Sequence, residues 1–145
     1  MGIDMKILRL LVGIIVFLAI TSSCHNKKKL EFYPRVDDSY TIEYDGNHFM
    51  ISNNESCDTF NIYNNEVFDN DKRLFLTTKR DTTIKYNYFH YQISRVIKNI
   101  KKDEYECTIF IEDDHQKRFF ISYIYDKGYM IQKIQRTYNV DFTHQ

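Results

Sequence analysis

The sequence predicts an all-β domain, an antiparallel meander of about seven or eight strands. Apolar and polar residues alternate along several short stretches, which is the period of a half-buried strand. Tight-turn sequences separate some of these stretches, and no alternation of strands with helices and no internal repeat is present. A sheet of this size must curl into a small barrel or split into a sandwich to bury its apolar face, and the sequence leaves both open.

The first predicted strands form a hairpin. Residues 40–44 alternate apolar and polar side chains, Asp45 and Gly46 form a tight turn, and residues 48–52 return. Two shorter strands follow at residues 59–63 and 73–78, between loops rich in Asn.

The longest apolar stretch is rich in Tyr, Ile and Val and contains neither Gly nor Pro. It covers residues 83–100, where one bent strand or two strands are possible, and we expect a strand over residues 84–93. Residues 94–101 stay open between strand and helix, because Ile93, Val96 and Ile97 also fall on one helical stripe.

The last third of the chain shows the clearest strand pattern. Residues 104–112 place alternate side chains, Tyr105 and Cys107 among them, on one face that should meet the core. Residues 118–125 are apolar on both faces, which is typical of a strand covered on both sides. A turn with Gly128 at positive φ then leads to a final strand over residues 129–138, and residues 139–145 fray.

An export signal precedes this domain. Lys6 and Arg9 stand before an apolar run over residues 10–20, which has about half the length of a membrane-spanning helix. The run ends in small residues and a cysteine, Thr21-Ser22-Ser23-Cys24, and the chain then becomes polar. Length and order fit a cleaved signal peptide. The alternatives are an uncleaved membrane anchor and an ordinary signal peptide in which Cys24 is incidental.

Residues 20–24, Ile-Thr-Ser-Ser-Cys, resemble the lipobox of bacterial lipoproteins in the relaxed form of the Bacteroidetes type. The resemblance covers only the leader, and it implies cleavage before Cys24 and acylation of that cysteine. The domain organisation that follows is a signal peptide over 1–23, a tether with the segment leading into the domain over 24–38, and one β-rich domain over 39–145. Translation from Met5 instead of Met1 would give a cleaner basic start.

Lipid chains on Cys24 would make the bilayer a partner of the protein, since two or more acyl chains anchor stably. By resemblance to lipoprotein sorting signals, His25 is not the Asp that retains lipoproteins in the inner membrane. No acidic surface-export cluster follows, because Lys27, Lys28 and Lys29 stand there. We therefore expect an outer-membrane anchor that faces the periplasm.

Composition argues against nucleic acid as a partner. The chain carries 20 basic and 20 acidic residues, and no stretch concentrates the basic ones into a binding face.

Two cysteines remain beyond the leader. Cys57 and Cys107 could form a disulfide bridge in an oxidising compartment. The alternative is two separate thiols, with Cys107 serving as a small core residue.

No arrangement of residues predicts catalysis, a metal or a cofactor. The cluster over residues 112–115 holds Glu, Asp, Asp and His, but consecutive loop residues splay apart, and a solvated turn is the better interpretation. The histidines lack zinc-motif spacing, the serines lack flanking glycines, and no glycine-rich phosphate loop is present.

Aromatic residues are the remaining signal. Tyr combines apolar area with a polar tip, which suits binding surfaces and strand interiors alike. The candidate binding surface consists of Tyr86, Tyr88, Tyr123, Tyr125 and Tyr129.

The first functional hypothesis is a non-enzymatic, membrane-anchored lipoprotein that binds a protein partner, in the manner of immunity proteins or inhibitors. The alternative is a lipocalin-like carrier of a small ligand or lipid, which would need a hollow interior. A small hydrolase is a third, weaker hypothesis, because it would need convergent His and carboxylate groups.

Overall fold

The computed structural model describes residues 28–33, 39–113, 116–136 and 140–144, and it is all-β. The described part holds twelve strands. They are β1 (Lys28–Tyr33), β2 (Tyr40–Asp45), β3 (His48–Ser52), β4 (Cys57–Tyr63), β5 (Glu66–Phe68), β6 (Leu74–Leu76), β7 (Thr82–Tyr88), β8 (Tyr91–Lys101), β9 (Glu104–Glu112), β10 (Lys117–Asp126), β11 (Ile131–Arg136) and β12 (Val140–His144).

All neighbouring strands are antiparallel, and the first strand, β1, lies in the middle of the sheet beside the last strand, β12. The order is β6-β5-β4-β3-β2-β1-β12-β11-β10-β9-β8-β7, so the first half of the chain runs outward to β6 and the second half runs inward from β7. The halves join where Phe32 pairs with His144 and Tyr33 with Thr143. Strands β6 and β7 are the two edges, and the sheet is not closed into a barrel.

The two halves pack face to face as a sandwich. A row of rings fills the interior: Phe49 stacks on Phe60 at 5.2 Å, Phe60 on Phe75 at 4.0 Å, and Phe75 meets Tyr123 of the other half at 5.3 Å. Around this row lie buried aliphatic side chains from both halves, such as Ile42 and Ile134. The alternation in the sequence produces this layer, because every second residue of a strand faces the partner half.

The all-β antiparallel prediction is confirmed, but the described residues form twelve strands where seven or eight were predicted. Strand β1 lies in the stretch predicted as tether and lead-in, so the sheet begins before residue 39. Strand β12 lies in the predicted fraying end, and β5 has only three residues. Such short or terminal segments carry too few alternations to stand out in a sequence.

The predicted single strand over residues 84–93 is two strands. A two-residue turn at Phe89 and His90 separates β7 from β8, and Phe89 takes φ of 53°. Residues 94–101, left open between helix and strand, belong to β8. The turn escaped prediction because neither of its residues is a usual turn former.

One of the two predicted glycine turns is confirmed. Gly46 has φ of 61° in the tight turn between β2 and β3. In the loop between β10 and β11 the positive φ, 64°, belongs to Tyr129 and not to Gly128. The Asp126 carboxylate organises this loop, since it accepts hydrogen bonds from the backbone N–H groups of Gly128 and Met130 at 2.8 and 3.0 Å.

Residues 28–33, 39–113, 116–136 and 140–144 include no helix that is long and apolar enough to cross a bilayer. Cys24 and the predicted signal peptide lie outside the described residues.

Side chains hold the seam between the edge strands β6 and β7. Arg95 of β8 is 6% exposed, and it donates to the Leu74 carbonyl of β6 at 3.0 Å and to the Asp69 carboxylate at 2.8 Å. Asp69 in turn accepts from the backbone N–H groups of Asp71 and Arg73, which shapes the turn before β6. We call Arg95, Asp69 and Leu74 the seam clasp.

The opposite end of the seam is held by a buried phenol. The Tyr125 hydroxyl donates to the Thr77 carbonyl at 2.6 Å and accepts from the Thr77 N–H at 3.3 Å. Burial raises the pKa of Tyr125, so the phenol keeps the proton that it donates. The chain just after β6 is thereby tied to β10.

We expect Arg95→Met to lower the free energy of unfolding by about 3 kcal/mol, because it leaves the partly buried Asp69 carboxylate without its cation. Lys101→Met is the matched control, since it removes an exposed ion pair with Glu104 and should cost less than about 1 kcal/mol. Denaturant titration measures both variants. Equal stability of the two would show that the seam clasp does not hold the sheet.

Candidate functional site: the end of the β7–β8 hairpin

The five tyrosines of the predicted binding surface do not share a surface. Tyr123, Tyr125 and Tyr129 are buried in the core, which corrects their assignment as binding residues. Tyr123 and Tyr125 lie on β10, which is apolar on both faces, so the sequence could not tell which face looks inward. The phenol of Tyr129 instead donates to the Asn65 carbonyl, a bond that links the two halves of the sandwich.

Tyr86 and Tyr88 of β7 lie outside the core. Tyr86 is half-buried beneath two cations, with the guanidinium carbon of Arg73 at 4.2 Å from its ring centre and that of Arg95 at 5.0 Å. Burial raises the pKa of its phenol. Tyr88 is 55% exposed, and with it the surface opens toward the turn.

The turn between β7 and β8 carries three exposed rings. Phe89 is 83% exposed, Tyr91 is 45% exposed, and the rings of Tyr88 and Phe89 meet edge to face at 4.7 Å. We call Tyr88, Phe89 and Tyr91 the aromatic tip. The binding surface predicted from the sequence did not include Phe89 and Tyr91, because the turn that exposes them was not predicted.

The backbone of the aromatic tip is strained. Phe89 has φ of 53°, a region that a bulky side chain rarely adopts and that turns usually give to Gly or Asn. Such a conformation costs about 1–3 kcal/mol. An exposed ring held at this cost does not serve the core, so the fold alone does not account for it.

A shallow depression of about 370 Å³ lies beside the aromatic tip. Its lining combines Phe89, His90 and Tyr91 with the acidic Glu112 and Asp113. A hydrogen bond from Lys117 and the charges of Lys117 and Lys85 hold the pKa of the Glu112 carboxyl below its usual range. Asp113 pairs with Arg118, and the rest of the predicted acidic cluster, residues 114 and 115, lies outside the described residues.

The aromatic tip lies at the end of the sandwich away from Lys28. Lys28 pairs with Tyr44, next to the turn between β2 and β3. The loop between β10 and β11 is at this same end, because the Tyr44 hydroxyl bonds to the backbone of Tyr129 and Ile131. Strand β8 spans 11 residues from the turn at Phe89 to the opposite end, a length of about 35 Å.

A second concave feature is the mouth of the sandwich, with a volume of about 360 Å³. Phe60, Phe75 and Tyr123 form its apolar wall, and Arg95 and Asp69 of the seam clasp lie in it. Arg95 and Asp69 pair with each other, and Asp58 and Asp71 add further carboxylates to the lining. Among the residues that the structure describes, no three His, Cys, Asp or Glu side chains converge as a metal site would need.

The possible disulfide between Cys57 and Cys107 is not formed. Both thiols are free, Cys57 exposed at the start of β4 and Cys107 buried in β9. Cys107 faces the interior between its cross-strand partners Ile97 and Tyr123, and burial raises its pKa to about 12. It is the small core residue that the sequence offered as the alternative.

The chain matches no protein-family model, and the searches of curated proteins and of solved structures found no similar protein.

We expect iodoacetamide at pH 8 to modify Cys57 at least about 100-fold faster than Cys107, because a buried thiol with a raised pKa reacts only when the fold opens. Peptide mass spectrometry without reductant measures the two sites separately. In denaturant both should react at the same rate. A Cys57–Cys107 crosslinked peptide would contradict the structure.

Proposed function

We propose that this protein is a non-enzymatic lipoprotein, anchored through acyl chains on Cys24 at the periplasmic face of the outer membrane, that binds a protein partner with its aromatic tip. The observation that carries the binding role is Phe89, an exposed ring on a strained backbone between two exposed tyrosines. Aromatic side chains at the centre of a contact are the usual source of its binding energy. An immunity- or inhibitor-like role fits this layout.

The distance between anchor and aromatic tip supports the proposal. Cys24 precedes Lys28 by four residues, which span at most about 14 Å. The end of the sandwich at Lys28 therefore stays near the bilayer, and the aromatic tip is about 35 Å further out. A tip at that position reaches a partner in the periplasm rather than the lipid that holds the chain.

The filled interior favours protein binding over the carrier alternative. A carrier of the lipocalin kind holds its ligand between the walls of the sheet. Here the rings of Phe49, Phe60, Phe75 and Tyr123 occupy that space with centres 4.0 to 5.3 Å apart. The end of the β7–β8 hairpin instead exposes three of the six exposed large apolar side chains of the described residues, Tyr88, Phe89 and Tyr91.

Phe89→Gly tests the binding role without harming the fold. Glycine adopts positive φ without the penalty of a side chain, so we expect the free energy of unfolding to stay equal or to rise by about 1 kcal/mol. Loss of the ring should lower the yield of partner crosslinked to this protein in intact cells by about 30-fold, the effect of a 2 kcal/mol contact.

Tyr63→Ala is the matched control, because Tyr63 is equally accessible, at 68% exposure, but ends β4 on the side of the sandwich near Lys28. It should leave the crosslink yield unchanged. The binding role is wrong if both variants retain the same yield, or if both lose it together.

The anchor has its own test. We expect Cys24→Ser to abolish incorporation of labelled palmitate and to move the protein out of the detergent phase, because no other site carries the lipobox pattern. Cys57→Ser should incorporate palmitate as the wild type does. Equal labelling of the Cys24→Ser variant and the wild type would contradict lipidation at Cys24.

A further inference from the structure

The two edges of the sheet differ in how open they are. Strand β6 has three residues and pairs with β5 through an irregularity in register at Val67 and Phe68. Strand β7 has seven residues, and all seven pair with β8 without a shift. A regular edge strand of this length presents a row of unpaired N–H and C=O groups on its free side.

Side chains occupy the edge at β6 but not the edge at β7. The Leu74 carbonyl accepts from Arg95, and the Thr77 carbonyl that follows β6 accepts from Tyr125. In the described part of the chain, the backbone of β7 bonds only to β8. The backbone groups on its free side therefore have no hydrogen-bond partner among the described residues, although the Arg73 guanidinium packs on the Tyr86 ring.

In most proteins, Pro, a bulge or a charged side chain prevents a long edge strand from pairing with another chain. Strand β7 has neither Pro nor a bulge, and its single charge is Lys85, the middle of its seven residues. If two copies of β7 paired about a two-fold axis, each Lys85 would lie opposite the other, and like charges in that position repel. Lys85 thus opposes self-association but accepts an acidic residue across the strand.

Two further basic side chains lie near β7. Arg80, just before the strand, and Lys98 of β8 are both exposed, with Asp81 next to Arg80 and Glu106 opposite Lys98 on β9. Lys85 lies 3.7 Å from Glu112, a separation at which an exposed pair contributes little. The edge therefore favours a negatively charged neighbour.

We propose that β7 is a strand-addition site for an extended acidic segment of a partner protein, with an acidic side chain of that segment opposite Lys85. This inference rests on the proposed function, because it names the kind of partner that the aromatic tip helps to bind. The added strand would run alongside Thr82–Tyr88, and the rings of Tyr88 and Phe89 would contact the partner where the strand ends.

A charge-reversed copy of the protein can stand in for the acidic segment. Full-length chains with Cys24→Ser are labelled with donor or acceptor dye on the exposed Cys57, while the buried Cys107 stays unmodified. Energy transfer is then titrated in three mixtures: wild type with wild type, Lys85→Glu with Lys85→Glu, and wild type with Lys85→Glu.

We expect the mixed pair to associate with a Kd about tenfold lower than either like pair, since it replaces a repulsive cross-strand pair by an attractive one. Lys98→Glu mixed with wild type is the control, because Lys98 is exposed on β8 but not on the edge, and it should show no gain. No gain for Lys85→Glu, or an equal gain for Lys98→Glu, would overturn the proposal.

The test needs no membrane and no native partner. Its failure would remove strand addition and leave binding by the aromatic tip untouched, whereas failure of Phe89→Gly to lower crosslinking would remove the proposed function itself.

Discussion

The ion pair between Arg95 and Asp69 helps to join the two edges of the sheet. In a closed barrel, backbone hydrogen bonds between the first and last strands join them instead. The sheet of this protein ends at β6 and β7, two strands that follow one another in the chain without pairing. Arg95 reaches from β8 to the turn before β6 and to the Leu74 carbonyl, and Tyr125 reaches from β10 to Thr77. These bonds keep the two halves face to face, with the rings of Phe49, Phe60, Phe75 and Tyr123 buried between them.

Because side chains rather than paired backbones join the two edges of the sheet, the sheet keeps an edge strand. A fully paired barrel has no edge strand, and nothing can add to it. Here the backbone of β6 is used by the seam clasp, while β7 remains free along seven residues and continues into the exposed hairpin end. The same seam that joins the two halves thus leaves one edge strand unpaired and one aromatic tip exposed.

Particular residues show how far the sequence predicts this arrangement. The alternation over residues 40–52 and 104–112 predicts real strands, and Cys107 lies in the core as its position in the pattern indicates. The tyrosines of β10 could not be assigned, because apolar residues occupy both faces of that strand. Two strands over residues 83–100 were one of the possibilities, but the position of the turn could not be predicted, since the positive φ of Phe89 appears only in the structure. The seam clasp joins residues 26 positions apart, and no local pattern marks such a pair.

Residue-resolved amide hydrogen exchange of the purified full-length protein tests the open seam most directly. If β7 is a free edge, amides along Thr82–Tyr88 should alternate between slow exchange, where the N–H faces β8, and fast exchange, where it faces the seam. Uniformly slow exchange along the whole strand would mean that β7 is paired on both sides, and the account of an open, side-chain-held sheet would be wrong.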